Sequence, residues 1–281
     1  MNKTISNSPS AKAIQLQDGR TLGYAEFGSS PGKAIFYFHG HPGSHSEARF
    51  LAEQARQSGV RLIGIDRPGM GLSSFKKNRR IFDWPEDVVE LADSLQIGRF
   101  AVAGFSGGGP YALACAYKIP QRLTACGIVA GVGHINPFLS FLSRWLPWLL
   151  LPITRRFFRD EVQAQKMLTR FAAMWAEPDR KSLRQPGIKE LLAASLVEAE
   201  SQGSRGSAYD GALLGRSWGF KPEDIQFPSI YLWHGELDTQ VPISIGKATA
   251  KSLPHCKATY YPEEGHISLI VNHAEEIVKA L

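Results

Sequence analysis

The chain has 281 residues, 43% of them hydrophobic and 21% charged, which suits one large α/β domain or two small ones around a continuous core. Its net charge of +6 is dispersed: between residues 131 and 220 twelve Lys and Arg meet eight Asp and Glu. Such spreading reads as a solvated surface and excludes a nucleic-acid footprint.

In chain order, "MNKTISNSPS" has no apolar centre and is not expected to act as a secretory signal. "AIQLQDGRTLGYAEFG" predicts two strands joined by the turn Asp18-Gly19. Short apolar runs at 34–38, 61–66, 100–105, 123–131, 229–235 and 257–261 then alternate with helical patterns near 46–58, 83–97, 107–118, 242–253 and 273–281. Runs without polar alternation predict strands covered on both faces, so the pattern is a doubly wound, mostly parallel sheet. Between about 132 and 220 the alternation stops. Helical patterns and Trp145, Trp148, Trp175 and Trp218 predict a helical insertion capping the strand ends. This divides the chain into a core of 1–131 and 221–281 and a cap of 132–220. The run 137–153 is apolar but broken by Arg144 and Pro147, and too short for a membrane span. Cys115, Cys126 and Cys256 are few and widely spaced, as apolar filler in a reducing cytoplasm would be.

The pattern G-x-S-x-G occurs three times, and context separates the copies. "GSSPG" (28–32) joins two strands, and "GRSWG" (215–219) follows a helical pattern without leading into one. Only Ser106 has a strand behind it, "FAVAGF", and a helix ahead, "YALACAY". A serine on so tight a turn is held in a strained conformation, and glycine neighbours make room for it. Bare first-turn N–H groups there also favour negative charge.

A serine nucleophile needs a base, and the base needs an orienting acid. Asp238, in the turn after "YLWHG", is the expected acid, with Glu236 a solvated turn residue. Of the histidines beyond it, His255 precedes the last strand and His273 opens the last helix. His266 leaves the carboxyl end of that strand, where groups that act on ligands gather in such sheets, and is the expected base. The backbone N–H groups of Gly107 and of His41, in "HGHPGSHS", are the expected oxyanion donors. His39, His41 and His45 are closely spaced but lack an acidic or thiol companion in that loop, so no metal is expected.

"HGHPGS", "DRPGMGLS" (66–73), "GFSGGGP", "HGELDTQVP" and "EEGH" together resemble the α/β-hydrolase superfamily, over residues 13–130 and 221–281. The resemblance implies an α/β-hydrolase fold: a mostly parallel twisted sheet, helices on both faces and an inserted helical cap. It implies Ser106 as nucleophile, Asp238 as acid, His266 as base and the His41 and Gly107 N–H groups as oxyanion hole. Asp66 to Ser73 match a structural turn, so Asp66 is given no chemistry. The expected activity is cleavage of an ester or related acyl bond through an acyl-enzyme, with no cofactor. The expected partner is a small molecule with an apolar acyl or aromatic part. Three alternatives stand beside it. One is an aminopeptidase of the proline iminopeptidase type, for which Glu198 and Glu200 are the candidate amino-terminus ligands by position. Another is a non-catalytic ligand receptor or regulator on the same fold. The third is a lyase or carbon–carbon hydrolase using the same serine. Arg144, Arg155, Arg156 and Arg159 read as a basic solvated face.

Overall fold

The computed structural model describes residues 10–29, 31–133 and 158–281. β1 (Lys12–Gln15) and β2 (Thr21–Gly28) form the antiparallel pair expected around Asp18-Gly19. β3 (Ala34–Phe38), β4 (Arg61–Ile65), β5 (Phe100–Phe105), β6 (Leu123–Val129), β7 (Ile230–Gly235) and β8 (Cys256–Tyr261) follow the remaining apolar runs. β6 ends two residues early because Ala130 turns the chain with a φ of 47°. One sheet holds all eight in the order β1-β2-β4-β3-β5-β6-β7-β8, antiparallel at β1-β2-β4 and parallel from there on.

Every residue of β3 and β5 is buried, the reason their sequences do not alternate. Phe36 and Phe38 face one core layer with Trp84, Tyr111 and Trp218. Ile35 and Tyr37 face the other, with Leu51, Phe105 and Trp233.

α1 (Arg49–Gln57), α2 (Trp84–Ser94) and α3 (Gly109–Lys118) cover the sheet. α1 and α3 start later than their patterns suggest, each behind one 3-10 turn, at His45–Ala48 and Ser106–Gly108. Between β6 and β7 come α4 (Glu161–Phe171), α5 (Glu177–Leu183), α6 (Ile188–Ala199) and α7 (Arg205–Leu214), with no strand among the described residues. α7 sits directly on the turn after β4: a Cβ on Gly206 would stand 1.9 Å from the Gly69 carbonyl oxygen, and one on Gly69 2.8 Å from the Gly206 Cα. The run 137–153, with Trp145 and Trp148, lies outside the described residues, as do Arg155, Arg156, Ser30 and residues 1–9. α8 (Ile243–Ser252), α9 (Ile267–Asn272) and α10 (Ala274–Ala280) complete the chain. α9 was not anticipated; six residues are too few for a helical period to register. Among the described residues no helix is long and apolar enough to cross a membrane.

Candidate active site

β3, β5, β7 and β8 end along one edge of the sheet, and their following loops carry the four expected segments. Ser106 comes directly off the buried β5 with a φ of 49°. A left-handed non-glycine residue costs about 1–2 kcal/mol, so the surrounding structure must hold it there. Part of that hold is the bond from Val132 N–H to the Ser106 carbonyl, 3.0 Å. Gly107 follows against the loop after β3: a Cβ on it would lie 2.7 Å from the His41 Cβ and 3.3 Å from the His41 backbone nitrogen. The two expected oxyanion donors are thus immediate neighbours.

Asp238 and His266 are brought together, with Nδ1 and Oδ2 2.7 Å apart. The carboxylate's other oxygen, Oδ1, accepts from the N–H groups of Gln240 and Val241, each at 2.8 Å. His234 Nε2 stands 3.5 Å from Oδ2 and bonds the Val241 carbonyl at 2.8 Å. Burial opposes the Asp238 charge, but the His266 imidazole and the backbone donor outweigh it and hold the carboxyl below its ordinary range. An ionised Asp238 can only accept, so His266 Nδ1 donates across this contact. The His266 ring is buried, its centroid 4.9 Å from that of Phe105, the residue before Ser106. Ser106 and His266 line the same cavity; no hydrogen bond joins the hydroxyl to the ring among the described residues. His255 and His273 lie where expected: His255 immediately precedes β8, and His273 sits at the start of α10, bonded to Glu264. Glu236 is exposed.

The loop after β3 is held by Arg67, which lies inside "DRPGMGLS" but had no role assigned there, and by Asp210, which no motif marked. Arg67 is fully buried and donates through Nη1 to the His39 carbonyl and through Nη2 to the Gly40 carbonyl, the latter at 2.9 Å. Its Nε and Nη2 also reach Asp210 of α7, at 3.1 and 2.9 Å. Asp210 further accepts from Arg79 at 2.7 Å and from the Tyr111 hydroxyl at 2.5 Å, and lies 3.3 Å from His41 Nδ1. Burial disfavours its charge, yet the Arg67 and Arg79 guanidinium groups hold its carboxyl well below the usual range. A lone acid inside the apolar stretch "GSAYDGALL" was the available cue.

From beneath the same loop, Glu47 Oε1 accepts from the Gly40 N–H at 2.6 Å and the Tyr37 hydroxyl at 2.9 Å. Burial raises its carboxyl to about 7 against the pull of those two donors, Arg67 and His266. Asp66 has the structural role expected of its turn, accepting from the His45 N–H at 2.7 Å and the Leu72 N–H at 2.9 Å. His39, His41 and His45 are each turned to a different partner: the Gly40 carbonyl, Asp210 and Asp66.

The cavity holding Ser106 and His266 measures about 290 Å³. Gly40, His41 and Glu47 line it from the core, and Phe158, Leu168, Phe171, Trp175 and Leu192 from the insertion. Glu198 and Glu200 do not line it; Glu198 instead accepts from the Ser44 hydroxyl at 2.6 Å. Arg159 is exposed, as a solvated face requires, whereas Arg144 lies outside the described residues.

Residues 35–280 match the alpha/beta hydrolase family, and the chain belongs to it as an enzyme of the hydrolase type. The chain is 26% identical to a putative 2-succinyl-6-hydroxy-2,4-cyclohexadiene-1-carboxylate synthase of Bacillus subtilis, over 90% of each chain. It is 25% identical to a pimeloyl-[acyl-carrier protein] methyl ester esterase of Legionella pneumophila, covering 78% of this chain and 84% of that one. A dihydrolipoyllysine-residue acetyltransferase component of an acetoin cleaving system, from Pseudomonas putida, is 27% identical over 89% of this chain, but the match spans only 62% of that protein. Among solved structures, a hydrolase from Pseudomonas aeruginosa superposes with a TM-score of 0.77 at 20% identity, covering 98% of this chain and 97% of that one.

Proposed function

We propose that the chain is a serine hydrolase that cleaves an ester or related acyl bond through Ser106, His266 and Asp238. The observation that carries this reading is the 2.7 Å Asp238–His266 contact beside a cavity that Ser106 also lines. Ser106 Oγ attacks the substrate carbonyl carbon as His266 Nε2 takes its proton, and Asp238 fixes the imidazole tautomer. The hydroxyl and the ring close up in the substrate complex, where such bonds tighten. The N–H groups of His41 and Gly107 receive the oxyanion. Collapse expels the alcohol, which leaves with the proton from Nε2. Water, deprotonated by Nε2, then attacks the Ser106 ester; as the tetrahedral intermediate collapses, Nε2 returns that proton to Ser106 Oγ and the acid departs. This chemistry calls for no cofactor.

The insertion, 132–220, acts as a cap on the core formed by 1–131 and 221–281. Its aromatic and aliphatic side chains favour a small-molecule substrate with an apolar acyl or aromatic part, and the likeness to a methyl ester esterase supports an ester. Three unpaired cysteines suit work in the cytoplasm. The peptidase alternative gains nothing from Glu198 and Glu200, which stand outside the cavity.

The test is turnover of p-nitrophenyl esters of graded acyl length together with fluorophosphonate labelling. Ser106→Ala is expected to remove more than about 10³-fold of activity and all labelling. Undiminished turnover in that variant defeats the reading.

A further inference from the structure

The segment that bears His266 is held from across the molecule. Asp179, on α5 of the insertion, is fully buried. Its Oδ2 accepts from the backbone N–H of His266 at 3.0 Å, and its Oδ1 from those of Ile267 at 2.8 Å and Ser268 at 2.9 Å. Three successive amides, starting at the expected base itself, converge on one carboxylate borne by a helix 87 residues earlier. Gly265 makes this approach possible, since a Cβ there would stand 2.5 Å from each Asp179 oxygen. The glycine of "EEGH" therefore packs against the insertion, while its own N–H donates to the Ser268 hydroxyl at 2.8 Å. Burying a carboxylate is costly unless its oxygens are satisfied, and here the amides it satisfies belong to the turn from which the imidazole hangs.

We propose that Asp179 is the positioning residue of the base: the insertion fixes the backbone at His266 so that the ring stays in line between Asp238 and Ser106. The proposal rests on His266 acting as base, as argued above. A side chain pinned only by its bond to Asp238 could swing with the loop, and displacement of a reacting group by about 1 Å costs on the order of 10²-fold in rate. On this view the insertion completes the machinery as well as walling the pocket.

Three variants test it, each checked for cooperative melting and read by ester kinetics and by the rate of fluorophosphonate labelling. Asp179→Ala removes all three acceptors. It is expected to lower kcat and the labelling rate by about 10²-fold while KM barely moves. Asp179→Asn keeps an oxygen for Ile267 and Ser268 but turns an N–H toward that of His266, so kcat falls even where the melting temperature is preserved. Gly265→Ala pushes an unaltered Asp179 away and is expected to reproduce the loss. Because both act on one contact, the Asp179→Ala/Gly265→Ala double variant falls no further than the worse single.

Folded Asp179→Ala or Asp179→Asn protein with wild-type kcat overturns the proposal, as do single losses that multiply in the double variant. Wild-type protein that no fluorophosphonate labels overturns the serine chemistry itself. Rapid labelling of wild type and of Asp179→Ala alike overturns only the role of Asp179.

Discussion

Arg67 and Asp210 form an ion pair with Nη2 and Oδ2 2.9 Å apart and neither side chain accessible to solvent. The same guanidinium grips the carbonyls of His39 and Gly40, so α7 of the insertion and the expected oxyanion loop are tied through one cation. Replacing Asp210 by alanine strands two buried guanidinium groups, those of Arg67 and Arg79. Asp210→Ala is expected to destabilise the fold by about 3–5 kcal/mol in urea titrations at neutral pH. A loss under about 1 kcal/mol would remove the pair from any account of stability.

Glu47 predicts a pH dependence of the opposite sense to that of an ordinary carboxylate. Its folded-state pKa is raised to about 7, so between roughly pH 4.5 and 7 the folded state holds a proton that the unfolded chain has lost. Stability therefore falls as pH rises through that window, by roughly 3 kcal/mol when the shift is fully expressed. Glu47→Gln keeps an acceptor for Gly40 and Tyr37 without the charge. The stability gap between it and wild type is expected to widen from pH 5 to pH 8. Parallel stability curves for the two proteins would refute the assignment.

Ser106 carries its strain in the backbone, with a φ of 49°, and not in its hydroxyl. Alanine at 106 keeps the strain and glycine relieves it. Both variants are expected to be inactive, yet Ser106→Gly is expected to melt higher than Ser106→Ala, by the equivalent of about 1 kcal/mol. Equal melting temperatures would mean that the turn relaxes elsewhere.

The 2.7 Å bond between Asp238 and His266 fixes which imidazole nitrogen carries the proton. Asp238→Asn preserves the shape but presents an amide N–H, favouring the wrong tautomer. On the proposed mechanism kcat for ester hydrolysis is expected to fall by about 10³- to 10⁴-fold, with KM and melting temperature nearly unchanged. An Asp238→Asn enzyme within tenfold of wild type would show that the acid lies elsewhere.

What could be read along the chain was what depends on local order. Parallel strands announce themselves as unbroken apolar runs, and Ser106 was separable from Ser30 and Ser217 because a strand and a helix flank it. Asp238 and His266 followed from their places after strand ends. The supports were hidden because each joins distant segments: Arg67 and Asp210 are 143 residues apart, and Asp179 and His266 are 87. A buried acid and a surface acid look alike in sequence. Only the fold shows that Asp179, Asp210 and Glu47 lost their water and were given backbone amides, a hydroxyl or guanidinium groups in return.

The bare backbone contact between Gly69 and Gly206 bears on how this protein could be re-engineered. Exchanging the segment between β6 and β7 for a foreign one is an obvious route to new substrates. Here the donor segment must arrive with nothing larger than hydrogen at the position facing Gly69. A transplant chosen for its pocket alone would be propped off the core at that point, and both loops it is meant to serve would drift with it.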